Sequence, residues 1–257
     1  QGLHLPDAVR LAQHITTSSG VVLEGICTHF ADIEDTTDHG FANVQLERFS
    51  HGVDAIRAVV EQAGLDGSTL MAHASNTAAV TLWPQVCGSL IRFGIGAYGM
   101  WPSKETLVSA RQMGRSPLTF ETALTWKTRI AQVRDVPAGE YVGYGRTFRT
   151  VRPTRLAILP VGYYDGYDRG LSNIGQVLVG GQRAPVVGRV AMNMTAIDTT
   201  DSPNPVVGQE VVLLGRQSSR DGRLTDEIRA AEIAGWLGTI HYEVVTRIND
   251  RLPRIAV

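Results

Sequence analysis

Ser89-Leu-Ile-Arg-Phe-Gly-Ile-Gly-Ala-Tyr-Gly99 places a single cation, Arg92, inside an apolar, strand-like run and follows it at once with glycines. A guanidinium taken out of water costs several kcal/mol unless it is paired or hydrogen-bonded, so Arg92 needs a partner. Gly94, Gly96 and Gly99 carry no Cβ, which lets backbone N–H groups come close to an anion such as a phosphate. The stretch reads as a cradle at the end of a strand. The competing reading is a barrel strand whose arginine snorkels to the surface.

Upstream, residues 5–19 place apolar side chains at helical spacing, with Pro6 in the first turn and Gly20 as the stop. Val21–Phe30 is short, apolar and β-branched, the texture of a strand buried on both faces, with Thr28 and His29 at its C-terminal end. From Phe41 to Gly64, apolar residues at Phe41, Val44, Phe49, Val53, Ile56 and Val60 predict a long amphipathic helix. Thr69–Ala74 is a second short strand that ends in His73, and Asn76 is placed to cap a brief helix running to Trp83. Helix and strand alternate, and the polar residues gather at strand ends, which is how a parallel α/β sheet or barrel lays out a site. Three such strands are too few to close a barrel of eight. Residues 1–115 therefore read as the later part of a (β/α)8 TIM-type barrel whose preceding strands are missing.

Beyond Ser116-Pro117 the texture changes. Ala123–Val133, Arg155–Val161, Gly175–Val179 and Glu210–Leu214 are β-branched runs separated by Pro and Gly turns, so residues 116–257 read as a mostly-β domain. One helix is expected within it, introduced by Thr225-Asp226 and ending before Gly238.

Composition narrows the range of functions. The 257 residues are 43% hydrophobic and 19% charged, with a net charge of −1, which disfavours a dedicated nucleic-acid or membrane surface and points to a small-molecule partner. No apolar run approaches the ~20 residues of a membrane helix. Cys27 and Cys87 sit in apolar surroundings without metal or disulfide spacing, which favours a reducing cytoplasm.

Read together, the strand ends are Thr28-His-Phe-Ala31, His73-Ala-Ser-Asn-Thr-Ala-Ala79 and Arg92–Gly99, and the β half adds Val142-Gly-Tyr-Gly145, Leu159–Gly166, Val187–Met192 and His241-Tyr-Glu-Val244. This set, in this order, resembles the alanine racemase family. The family's members are homodimeric pyridoxal 5'-phosphate enzymes with an N-terminal α/β barrel and a C-terminal β domain. The resemblance implies interconversion of L- and D-alanine for peptidoglycan synthesis in the cytoplasm. A racemase for serine or lysine, or a non-catalytic homologue that keeps the cofactor cradle, are the alternatives.

The resemblance also implies roles. Arg92 would face the pyridine nitrogen of the cofactor; a guanidinium can only donate there, which leaves that nitrogen unprotonated and weakens the ring as an electron sink. His73 would pack against the ring and bond Arg92. His29 would orient the catalytic tyrosine, Tyr163, supplied by the opposite subunit as the base on one face of the substrate Cα. Phenols ionise near about 10 in water, so such a base needs cationic help. The phosphate would lie on the N–H groups of Gly94 and Ile95 and on the hydroxyls of Thr77, where the family commonly has serine, and Tyr242. The Met192 amide would approach the substrate carboxylate, with Asn193 standing where aspartate is expected. Arg189 and Glu34 would line the access path. The family's cofactor lysine has no counterpart in Lys104, in a Trp-Pro-Ser loop, or in Lys127, in a β-domain strand, and Gln1-Gly2 resembles the tail of the family's Gly-Met-x-Arg-x-Gly segment. The resemblance thus implies an incomplete chain, inactive by itself.

Overall fold

The computed structural model describes residues 2–86, 88–115, 118–202 and 204–256. They form two compact units, one reaching to Ala123 and one running from Leu124 onward. Cys87 and the Ser116-Pro117 transition lie outside the described residues.

The first unit opens with α1 (Leu5–Thr16), whose proline sits in the first turn, where its missing N–H leaves no helical bond unmade. β1 (Gly25–Cys27) follows, then α2 (Gly40–Gln62), which buries Val53, Ile56, Val59 and Val60. Its apolar stripe is narrower than the periodicity implies, because Phe41 is 56% and Val44 43% exposed. α1 packs on α2 around Ala12, Ile56, Val59 and Leu70. β2 (Met71–His73) pairs with β1 in parallel, Gly25 opposite Met71 and Cys27 opposite His73. α3 (Thr77–Leu82) is capped as expected, the Asn76 Oδ1 accepting from the Ala79 N–H at 2.9 Å.

Three expectations are corrected in this unit. The Val21–Phe30 strand is not buried on both faces. β1 is three residues long, Cys27 is exposed, and Val22, before the strand, is 89% exposed. The third strand, at Ser89–Gly99, does not join the ladder. The Arg92 N–H bonds the Ser75 carbonyl at 2.9 Å beyond the end of β2, and the chain then coils into a 3-10 turn, Ile95–Tyr98. Gly99 closes that turn at φ 73°, and a Cβ there would stand 1.6 Å from the Glu121 carbonyl oxygen, so only glycine fits. Finally, Lys104 is not in a loop. It opens α4 (Lys104–Gln112), capped by the Ser103 hydroxyl, which accepts from the Thr106 N–H at 2.9 Å.

The second unit is mostly β, as the texture of the sequence implies. β3 (Trp126–Arg129), β4 (Gln132–Val136), β5 (Tyr141–Val142), β6 (Phe148–Arg149) and β7 (Thr154–Leu159) precede β8 (Gln176–Val179), β9 (Gln182–Pro185), β10 (Thr195–Asp198), β11 (Glu210–Ser218) and β12 (Thr225–Ile228). One sheet runs β10-β7-β4; another runs β12-β11-β8-β9, with β3 also on β11; β5 and β6 form a hairpin. Its centre is fully buried Val177, Leu178, Val179 and Val211 to Leu214. Here Thr225-Asp226 does not cap a helix but lies in β12, paired with Gln217 and Ser218. The helix is α5 (Ala230–Leu237), closed by Gly238 at φ 67°, and α6 (His241–Thr246) follows it unanticipated. Among the described residues no helix is long and apolar enough to cross a membrane.

The phenol of Tyr167 is fully buried edge-on to Trp126, at 5.9 Å between ring centroids, and its hydroxyl has no hydrogen-bond partner among the described residues. Burial holds that phenol in its neutral form. An unmade bond of this kind costs about 1–3 kcal/mol. Tyr167→Phe is therefore expected to leave the urea midpoint unchanged or raise it; a fall equivalent to more than about 1 kcal/mol would show that the hydroxyl is satisfied.

Candidate functional site

The C-terminal ends of β1 and β2 leave carbonyls beyond the last paired residues, Cys27 and His73. The half-buried Arg92 side chain takes them up. Its Nη2 donates to the Thr28 carbonyl at 2.7 Å and to the Ala74 carbonyl at 3.0 Å, and its Nη1 reaches the His73 carbonyl at 3.5 Å. The same group meets both imidazoles, Nη1 at His73 Nδ1 and Nη2 at His29 Nδ1, the latter at 3.4 Å. A guanidinium has no acceptor, so each Nδ1 must accept and each neutral ring carries its proton on Nε2. The structure thus brings Arg92, His73 and His29 together. Among the described residues the Arg92 Nε–H donates to no protein acceptor, which leaves it for a ligand.

Thr77, the buried first residue of α3, stands beside this cluster in sequence and fold. Its Oγ1 accepts from the Gly94 N–H at 3.1 Å and the Gly96 N–H at 3.4 Å. With both lone pairs in use, the hydroxyl proton points elsewhere as a donor. Gly96 has no room for a side chain, since a Cβ would come 2.4 Å from the Phe93 ring and 2.7 Å from the Thr77 methyl. Gly94 is the opposite case. A Cβ there would meet nothing within 4 Å, so the backbone beside buried Ile95 has an open face. Asn76 is fixed from behind, its Nδ2 donating to Glu34 Oε1 at 3.0 Å while its Oδ1 caps α3.

In the second unit, Tyr163 and Met192 are brought together. Tyr163 opens a 3-10 turn, Tyr163–Asp165, rather than lying in a strand, so it and Tyr164 are not sorted to opposite faces; they are 44% and 53% exposed. The Tyr163 N–H bonds the Ala191 carbonyl at 3.1 Å and the Tyr164 N–H bonds the Met192 carbonyl at 2.9 Å. Contact is so close that a Cβ on Gly162 would lie 2.1 Å from the Ala191 oxygen. The Tyr164 hydroxyl accepts from Arg251 at 3.1 Å. The Tyr163 hydroxyl makes no hydrogen bond among the described residues of this chain. Exposed Arg189 flanks Gly145, and exposed Asn193 follows Met192. Tyr242 lies half-buried on α6, its ring 4.9 Å from that of His241.

Sequence reading missed the carbonyls of Thr28 and Ala74, which hold the guanidinium and leave no side-chain signature. The Glu34–Asn76 contact, across 42 residues of chain, was equally silent.

Burial and then the neighbouring Arg92 charge push the His73 imidazole below its ordinary value of 6.5. The unfolded chain therefore takes up a proton at His73 before the folded chain does, and the stability this group contributes, intact above 6.5, is lost as pH falls below it. Arg92→Ala is expected to move the His73 titration, followed by imidazole NMR, back up toward 6.5. An unmoved titration would show that the two side chains are not coupled.

Residues 123–256 match the family described as alanine racemase, C-terminal domain, and residues 1–102 match alanine racemase, N-terminal domain. An alanine racemase of Leptospira interrogans is 40% identical over 93% of this chain and 58% of its own length. The alanine racemase of Bacillus anthracis with bound L-Ala-P superposes with a TM-score of 0.77 at 32% identity, covering 91% of this chain and 55% of that one. The enzyme of Bartonella henselae with covalently bound pyridoxal phosphate superposes at 0.76 and 27% identity, covering 100% of this chain and 63% of that one. The chain thus spans about 58% of the length of the first curated relatives it matches. With both domain families matched across nearly all of its residues, this chain belongs to the alanine racemase family.

Proposed function

We propose that the protein carrying this chain is a pyridoxal 5'-phosphate-dependent alanine racemase. The observation that supports it most is Arg92: a permanent cation fixed at two strand ends by three carbonyls and two imidazoles, with its Nε–H left as a donor for a heterocyclic nitrogen. The phosphate fits on the other side. The Thr77 hydroxyl has a proton to give, and the backbone at Ile95 adjoins an open face at Gly94, where a Cβ would meet nothing within 4 Å, the Gly94 N–H itself being engaged by Thr77. When bound, the cofactor supplies an electron sink that acidifies the Cα–H of the amino acid attached to it.

This chain's own residues then bind and move protons. Arg92 donates and cannot give up its proton, so it tempers the sink and favours return of a proton to Cα over side reactions. His73 holds one side of the guanidinium and His29 the other. The Tyr163 phenol, exposed and free of protein bonds in its own chain, takes or returns the Cα proton on one face, delivered from a second copy in a homodimer. Met192 offers its backbone amide to the substrate carboxylate. In a cytoplasmic setting the product D-alanine would serve peptidoglycan synthesis.

The test uses the full-length protein with added cofactor and alanine. Tyr163→Phe is expected to lower racemisation by about 10²–10⁴-fold, the usual worth of a positioned acid–base group, while cofactor stays bound. Full activity in both Tyr163→Phe and Arg92→Ala would contradict the assignment.

A further inference from the structure

Gln45 lies in the second turn of α2, half-buried and far in sequence from Arg92, His73 and His29. Its one amide group makes three hydrogen bonds to the end of β1. Nε2 donates to the Thr28 hydroxyl at 3.0 Å and to the His29 carbonyl at 2.7 Å, and Oε1 accepts from the Ala31 N–H at 3.0 Å. The amide orientation follows from its neighbours, because Ala31 offers only a donor and the His29 carbonyl only an acceptor. Thr28, His29 and Ala31 are thereby each tied to α2.

The consequence lies at Thr28, which is held from both ends. Gln45 grips its hydroxyl, and its carbonyl accepts the shortest of the Arg92 bonds to backbone, 2.7 Å. His29, the next residue, has its carbonyl on Gln45 and its ring against Arg92. We propose that Gln45 is a positioning residue for the cofactor cradle: through Thr28 and His29 it fixes where the Arg92 guanidinium sits, without touching the ligand itself. This rests on the reading of that cradle as a pyridoxal 5'-phosphate site.

Two variants separate positioning from simple support of the fold. Gln45→Ala removes all three bonds. Gln45→Glu keeps the acceptor for Ala31 but sets a carboxylate oxygen against the His29 carbonyl, so it retains size and helix propensity while losing the donor. Both are expected to weaken pyridoxal 5'-phosphate binding to the full-length protein by about tenfold, read by quenching of tryptophan fluorescence, the effect of roughly one well-formed hydrogen bond. Both are also expected to move the His73 titration, followed by imidazole NMR without any ligand, upward toward that of Arg92→Ala. If thermal stability falls but the His73 titration and the cofactor affinity stay within twofold of the parent chain, Gln45 is only a structural staple and the proposal is overturned. If the full-length parent protein does not bind the cofactor at all, the reading of the cradle fails, while the ligand-free titration still decides whether Gln45 positions Arg92.

Discussion

A guanidinium cannot shed its charge, and once drawn in among strand ends it must be met on every side by acceptors. In the first unit the acceptors are the carbonyls of Thr28, His73 and Ala74 and the Nδ1 atoms of two imidazoles. Hydrogen bonds to a charged group contribute about 1.5–3 kcal/mol each when well formed, so losing several at once outweighs most other local changes. The ends of β1 and β2 therefore cannot drift apart without stranding Arg92, and Arg92 cannot leave without giving up its bonds to the Thr28 and Ala74 carbonyls, whereas the His73 carbonyl keeps the Thr28 N–H. Around that mutual constraint the glycine-rich turn at 94–99, the Thr77 hydroxyl and the Asn76 cap fall into place.

The second unit supplies its candidate residues by a different device. None of its described residues is a buried charge. Tyr163 and Met192 sit on adjacent loops because Gly162 lets one backbone lie directly on the carbonyls of Ala191 and Met192, so the two loops share hydrogen bonds in place of side-chain packing. The loops spring from β7 and β10, which pair with Thr195 opposite Leu159 and carry fully buried Leu159 and Ile197, and this gives them a fixed base.

Much of this was legible in the sequence where a side chain carries the signal. Arg92 in an apolar run demands acceptors whatever the fold, the α1 and α2 periodicities survive as helices, and Asn76 caps α3 for the reason its residue type implies. The misreadings share one cause: patterns that ignore which edge is covered. Val21–Phe30 looks like a strand buried on both sides, but it pairs with one neighbour only and is exposed at Cys27. Ser89–Gly99 is apolar enough for a strand, yet the amides of Gly94 and Gly96 are drawn to Thr77 and the chain coils instead. Thr225-Asp226 has cap chemistry but is paired along β11. Backbone carbonyls and contacts across dozens of residues leave no trace in residue type, which is why the groups that hold Arg92 were invisible until the fold placed them.

The arrangement of these strand ends requires Arg92 to be locked rather than merely nearby. The most direct measurement is the NMR of its guanidinium N–H groups in the ligand-free chain at neutral pH. Locked on carbonyls and imidazoles, the Nη protons should be separately resolved and slow to exchange with water. A single averaged, rapidly exchanging signal like that of free arginine would contradict it.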